Sequence, residues 1–162
     1  RRSSTHRSCV TRPVNGGRNH MDLTSAARIG QIHREMAELC LALKPPVDEL
    51  SDQLGRLSRK ALEIGVSDAA ADLDRMCAAS DRLQALTAEL IGAPQPAAPE
   101  GRAWLAGHEH LRHDLRTPLN AVRGYGELLM EDWQEGGASR LMPELRQVIA
   151  TANQLLSMID DH

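Results

Sequence analysis

Residues 111–122 read Leu111-Arg112-His113-Asp114-Leu115-Arg116-Thr117-Pro118-Leu119-Asn120-Ala121-Val122. Leu111, Leu115, Leu119 and Val122 recur at steps of four and three, the spacing of one apolar face of an α-helix. Upstream the same face continues through Trp104 and His108, and downstream through Gly126, Leu129 and Trp133. Gly136-Gly137 ends the run. Leu141, Leu145, Val148, Ala152, Leu155 and Ile159 then form a second heptad seam, close enough in sequence to fold back antiparallel against the first. Residues 102–162 therefore read as one helical hairpin.

Going backward, Gly92-Ala-Pro-Gln-Pro-Ala-Ala-Pro-Glu-Gly101 is a linker, because its three prolines disfavour a helix. Before it, residues 22–92 carry the same periodicity. Ile29, Ile32, Met36, Leu39, Leu43, Val47, Leu50, Leu54, Leu57, Ala61 and Ile64 make one face, Gly65 and Ser67-Asp68 mark a stop and a restart with Ser67 as the N-cap, and Leu73, Met76, Leu83, Leu86 and Leu90 make another. Residues 1–21 are basic, with five arginines, no acidic residue before Asp22 and no apolar period. They read as a disordered arm or as residues upstream of a natural start at Met21.

The two hairpins coincide at an offset of 72 without a gap. Leu115, Pro118, Leu119, Val122, Leu129, Gly137, Ser139, Leu145 and Leu155 fall on Leu43, Pro46, Val47, Leu50, Leu57, Gly65, Ser67, Leu73 and Leu83. Heptads align by their apolar steps whatever their origin, but the shared proline, glycine and serine are outside that period, so the pattern reads as an internal duplication. The copies differ at the quoted stretch: His113 falls on Leu41, Asp114 on Ala42 and Thr117 on Pro45. The first hairpin reads as a degenerate partner.

Composition fits an all-α fold. Among 162 residues there is no Phe, one Tyr and two Trp, so the core is aliphatic and short of the residues that favour strands. A net charge of −3, with acids and bases interspersed, gives no footprint for nucleic acid. No apolar run approaches the roughly 20 residues that span a bilayer. Three cysteines, Cys9, Cys40 and Cys77, are odd in number and lack metal-ligand spacing, which points to a reducing cytoplasm rather than a disulfide framework.

With Leu111 and Leu115 facing the core, His113 faces solvent, and His113, Arg116, Thr117 and Asn120 form one polar stripe at i, i+3, i+4 and i+7. Exposed imidazoles are substantially neutral at cellular pH, and a neutral ring nitrogen is a nucleophile toward phosphorus. Asp114 is placed to hold the ring tautomer or take its proton. Pro118 cannot donate to the Asp114 carbonyl, which predicts a bend beside the histidine. A metal site is the rival reading for His108, His110 and His113, but Arg112 stands where the four-residue partner of His108 is needed, and no third ligand is evident, so no metal is expected. His108 reads as a packed core histidine and His33 as a polar surface residue.

The segment from His113 to Asn120 resembles the H-box of the dimerisation and histidine-phosphotransfer domain of bacterial sensor histidine kinases, and the resemblance covers about residues 102–162. It implies that His113 is phosphorylated, that Asp114 is the general base, and that Thr117 positions a water for dephosphorylating a partner receiver domain. It also implies a cytoplasmic setting in a bacterium, a response-regulator receiver as partner, and two hairpins joined into a four-helix bundle. The asparagine-rich and glycine-rich boxes of the kinase ATP-binding domain are missing here, so ATP and Mg²⁺ are expected on a partner domain, in cis or in trans, and no cofactor on this chain. Whether the chain is itself an enzyme is left open.

Two arrangements satisfy the seams. Either both hairpins of one chain form the four-helix bundle as a pseudo-dimer, or each self-associates with its own copy in a homodimer. About nine extended linker residues reach roughly 25 to 30 Å, ample for bundle helices about 8 to 10 Å apart. The intramolecular bundle is the favoured expectation. The competing functional reading is a non-catalytic scaffold with a vestigial H-box.

Overall fold

The computed structural model describes the backbone of residues 19–92, 101–135 and 138–161, and side chains over 27–92, 110–134 and 138–161. Its elements are α1 (Asn19–Glu63), α2 (Ala70–Gly92), α3 (Gly101–Glu135), a 3₁₀ turn (Ser139–Leu141) and α4 (Met142–Asp160). Among the described residues there is no strand, and no helix is long and apolar enough to cross a membrane.

Each helix buries the face its periodicity marks. In α1 that face is Met36, Leu39, Leu43, Val47, Leu50, Leu54, Leu57 and Ala61, and in α4 it is Leu145, Val148, Ala152, Leu155 and Ile159. α1 packs on α2 and α4, and α3 packs on α2 and α4, so the four helices close a ring around one core. The two hairpins of a single chain thus bury their seams against each other. The reach of the linker allows this closure, and aliphatic seams drive it at about 25 cal/mol per Å² of apolar surface removed from water.

α1 ends where the sequence marks a stop. Gly65 takes φ +76°, the Gly65 N–H donates to Leu62 O (3.2 Å) and the Val66 N–H to Ala61 O (3.0 Å), a Schellman closure that leaves Val66 packed on the core. Ser67 is not the N-cap of the next helix. α2 starts three residues later at Ala70, whose N–H donates to the Ser67 carbonyl (3.1 Å), while the Ser67 hydroxyl donates to Asp68 (3.5 Å). The Ala70 N–H that a capping hydroxyl would accept is instead taken by the Ser67 backbone carbonyl in the tight turn.

The ends of the expected segments shift slightly. α1 begins at Asn19, so the last three residues assigned to the basic arm, 19–21, are helical. Extension of a nucleated helix costs little per residue, and Asn is favoured at helix starts. Gly101, placed at the end of the linker, opens α3. The rest of the arm and linker residues 93–100 lie outside the described residues. α1 continues through Pro45 and Pro46 and α3 through Pro118, since packing along the full seam outweighs the lost hydrogen bonds.

The offset of 72 extends to the elements. α1 and α3 end at Glu63 and Glu135, and α2 and α4 begin at Ala70 and Met142, each pair separated by 72. Buried Leu43, Val47, Leu50, Leu57, Leu73 and Leu83 match buried Leu115, Leu119, Val122, Leu129, Leu145 and Leu155. The matching layers are not identical in size. Ala61 answers to Trp133 and Ala69 to Leu141, while Leu54 answers to Gly126, where an added Cβ would stand 2.8 Å from Ile149 Cγ1 and 3.5 Å from Met76 Cε.

Two seam positions hold polar residues that apolar periodicity passes over. Ser80 and Thr87 are buried in α2, and the Thr87 hydroxyl is turned back on its own helix toward the carbonyls of Leu83 (3.1 Å) and Gln84 (2.9 Å). Leu90, read as a seam residue, is only half-buried, and Ile64, read as the last residue of the α1 face, lies past the end of the helix and is 45% exposed.

Candidate functional site

The quoted segment lies in the N-terminal half of α3. Leu115 and Leu119 are fully buried, Pro118 is buried beside them and Leu111 packs against the core at its edge. This anchoring turns His113 outward, and its side chain is 79% exposed. Arg116, Thr117 and Asn120 share the exposed face. The structure therefore brings together the stripe that the helical spacing predicts.

Around the imidazole, Asp114 Oδ1 stands 3.6 Å from His113 Nδ1, too long for a formed hydrogen bond but close enough for a small rotation to make one. A carboxylate on the Nδ1 side favours the tautomer with the proton on Nδ1 and the lone pair on Nε2. The Thr117 hydroxyl donates to the His113 carbonyl (2.9 Å), which leaves its oxygen lone pairs facing solvent on the histidine's side of the helix. Arg116 reaches across the hairpin and pairs with Asp160 in the last turn of α4.

Asp160 is the member of this surface that sequence reasoning missed. It lies 44 residues from Arg116, and nothing in the heptad period of α4 distinguishes it from an ordinary outward acid. The pairing appears only once α4 has folded back along α3.

On the corresponding face of the first hairpin the chemistry is absent. Leu41 is 56% exposed, and Ala42 and Pro45 are exposed beside it. Lys44, which answers to Arg116, pairs with Asp48 of its own helix at 2.8 Å, and Gln84 of α2 donates to the same carboxylate at 3.3 Å. The Lys44 ammonium holds the Asp48 carboxyl below its usual range.

His110 is exposed. The side chains of Trp104 and His108 lie outside the described residues, so the core placement read for them does too. Among the described residues, no three His, Cys, Asp or Glu side chains come together as a metal site. Cys40 is buried, which pushes its thiol up to about 11. Cys77 is half-buried and shifted the same way by burial and by the nearby Asp81 and Asp74. Neither has the electropositive, accessible setting of a reactive thiol.

Comparison with known proteins returned no significant match to a curated protein and none to a solved structure. Residues 109–162 match the model of the His Kinase A (phospho-acceptor) domain. The matched span runs from the helical turn before His113 to the end of the chain, with the exposed histidine and its stripe inside it and all of α4 included. Over that span the second hairpin is similar to the His Kinase A (phospho-acceptor) domain family.

Proposed function

We propose that the chain is the phosphoacceptor bundle of a bacterial two-component signalling protein, and that His113 receives a phosphoryl group and passes it to an aspartate of a receiver domain. The observation that carries this reading is the outward His113 imidazole, with the Asp114 carboxylate 3.6 Å from Nδ1, inside a segment of the phosphoacceptor family. Asp114 fixes the tautomer and takes the ring proton, so the Nε2 lone pair attacks phosphorus in line with the leaving group. Thr117, whose oxygen accepts from solvent, positions the water that removes phosphate from the receiver. ATP and Mg²⁺ belong to an ATP-binding domain acting in cis or in trans, and the setting is cytoplasmic.

The first hairpin acts as a degenerate copy that replaces the second subunit of a dimer. The coincident helix ends and the shared burial at the offset of 72 support this. So does the unequal size of matching layers, since facing seams that differ pack better with each other than either does with itself. One bundle then carries one reactive histidine.

The test is phosphorylation of the purified chain by a histidine-kinase catalytic domain with ATP, or by phosphoramidate, followed by addition of a receiver. The expected result is an acid-labile label on wild type, absent from His113→Ala, that leaves when the receiver is added. The scaffold reading, to which the exposed Leu41-Ala42 surface lends weight, predicts no label on wild type or an equal label on His113→Ala.

A further inference from the structure

We propose that Arg116 is a positioning residue for the phosphoryl group on His113, and that its guanidinium exchanges Asp160 for that group, so the last turn of α4 loosens when the histidine is charged. This rests on the phosphoacceptor reading of His113. Arg116 stands three residues after His113 on the same exposed face, within reach of a group on the imidazole. In the unphosphorylated chain it is held by Asp160, and both side chains are about half exposed, at 46% and 52%, so neither is locked in place.

Asp160 is poorly placed without that partner. It sits in the last turn of α4, where backbone carbonyls present partial negative charge and a carboxylate is disfavoured, and Asp161 adds a second acid beside it. A phosphoryl group brings nearly two negative charges and three acceptor oxygens, and it suits the planar guanidinium fork better than a single carboxylate oxygen does. Exchange would leave Asp160 uncompensated at the end of a helix whose cap is the Asp161 N–H donating to Ser157 O at 2.9 Å and the exposed Ser157 hydroxyl donating to Asp161 Oδ2 at 3.3 Å.

The first hairpin supplies an internal control. The positions answering to His113, Arg116 and Asp160 are Leu41, Lys44 and Ala88, so the half that lacks the histidine also lacks the opposing carboxylate. Its lysine is satisfied within α1 instead. The cross-hairpin pair thus occurs only on the face that carries the nucleophile.

The experiment uses the full chain, labelled with ¹⁵N and ¹³C and charged with phosphoramidate. In that reaction the P–N bond of the donor breaks as the bond from phosphorus to His113 Nε2 forms, and ammonia leaves and takes up the ring proton. The Arg116 guanidinium signals should move on phosphorylation, the Asp160 carboxyl ¹³C signal should move to its position in Arg116→Ala, and the helical shifts of residues 158–161 should decrease. Arg116→Ala should shorten the phosphohistidine half-life several-fold, Arg116→Lys should restore part of it, and Asp160→Asn should leave it unchanged or longer. A labelled wild type whose Asp160 signal stays put, or an Arg116→Ala chain with the wild-type half-life, overturns this inference alone. A wild type that takes no label on His113 overturns the phosphoacceptor reading and this inference with it.

Discussion

Gln53 and Thr151 offer a direct test of the one-chain bundle. Gln53 lies on the α1 face toward α4 and is only 5% exposed. Its Oε1 accepts from the Thr151 hydroxyl at 3.0 Å, whose single proton is shared with the Gln147 carbonyl at 3.1 Å, and its Nε2 donates to Glu49 Oε1 at 3.0 Å. Thr151→Val removes the donor and leaves a buried amide oxygen unpaired, a loss of about 1 to 3 kcal/mol when water is excluded. Thr151 is half-buried, so solvent relieves part of this and the expected loss is about 1 kcal/mol. Gln53→Leu in the Thr151→Val background removes the orphaned group, so the double variant should recover most of that loss, with a coupling of about 1 kcal/mol. If each hairpin instead met its own copy, the residue answering to Thr151 would be Ala79, and the two substitutions would act independently. Urea denaturation of wild type, both single variants and the double variant, at two protein concentrations 100-fold apart, reads both quantities. Additivity within about 0.3 kcal/mol, or a midpoint that climbs with protein concentration, refutes the intramolecular pairing.

Gly65→Ala should destabilise by about 1 kcal/mol through its φ of +76° alone, since nothing lies within 4 Å of the new Cβ, whereas Gly55→Ala, equally open but inside α1, should stabilise by up to about 1 kcal/mol; equal shifts in the urea midpoint would disprove the distinction. The hydrogen bond and charge of Lys60 hold the Glu144 carboxyl below its ordinary range, so this α1–α4 pair contributes above the unfolded carboxylate range and is lost as pH falls through the lowered folded value. Because Lys60 is half exposed and solvent screens the pair it is worth about a few tenths of a kcal/mol, and Glu144→Gln should flatten the stability profile by that amount as pH falls through and below the ordinary carboxylate range. The buried Cys40 should resist alkylation at pH 8 in the native chain and react only on unfolding, and a native rate matching that in urea would contradict its burial. Leu41→His with Ala42→Asp and Pro45→Thr places the histidine, its acid and its threonine on the first hairpin and, on the proposed function, should raise the label from one phosphoryl group per chain toward two; a chain that stays at one would show that these three residues on the scaffold do not make the site.

The features readable in the sequence are those in which one residue type has one consequence. Leucine at steps of three and four fixed which faces are buried, and Gly65 marked the helix stop because only glycine enters its positive φ cheaply. His113 was legible as exposed because it stands two residues from both Leu111 and Leu115. Ser67 does not cap α2 because its type suits either a cap or a turn, and the turn in which its backbone carbonyl takes the Ala70 N–H decides between them. Ser80, Gln53 and Thr87 were invisible as core residues because a polar side chain at a seam is buried only where the local geometry allows it: Thr87 satisfies its hydroxyl on its own helix, and Gln53 meets the Thr151 hydroxyl only once α4 has packed against α1. Asp160 was beyond reach for a related reason: its meaning depends on a partner on another helix.

The inequality of the two halves gives the deepest link between fold and proposed function. Matching seam positions differ in bulk, with Ala61 against Trp133, Ala69 against Leu141 and Leu54 against Gly126, and such differences are tolerated when the facing side compensates. At Gly126 the compensation is visible, since the space a Cβ would take is filled by Ile149 of α4 and Met76 of α2, one from each hairpin. Surface chemistry differs in another way. The histidine, its adjacent acid, its threonine and the carboxylate opposite its arginine are all missing from the first hairpin, although none of them is needed to close the core. A surface under no chemical demand has no physical reason to lose or keep those four together. Their joint presence on one face and joint absence on the other is what the proposed single phosphoacceptor requires, and on that proposal Asp160 belongs to the surface rather than standing as an incidental acid at the end of a helix.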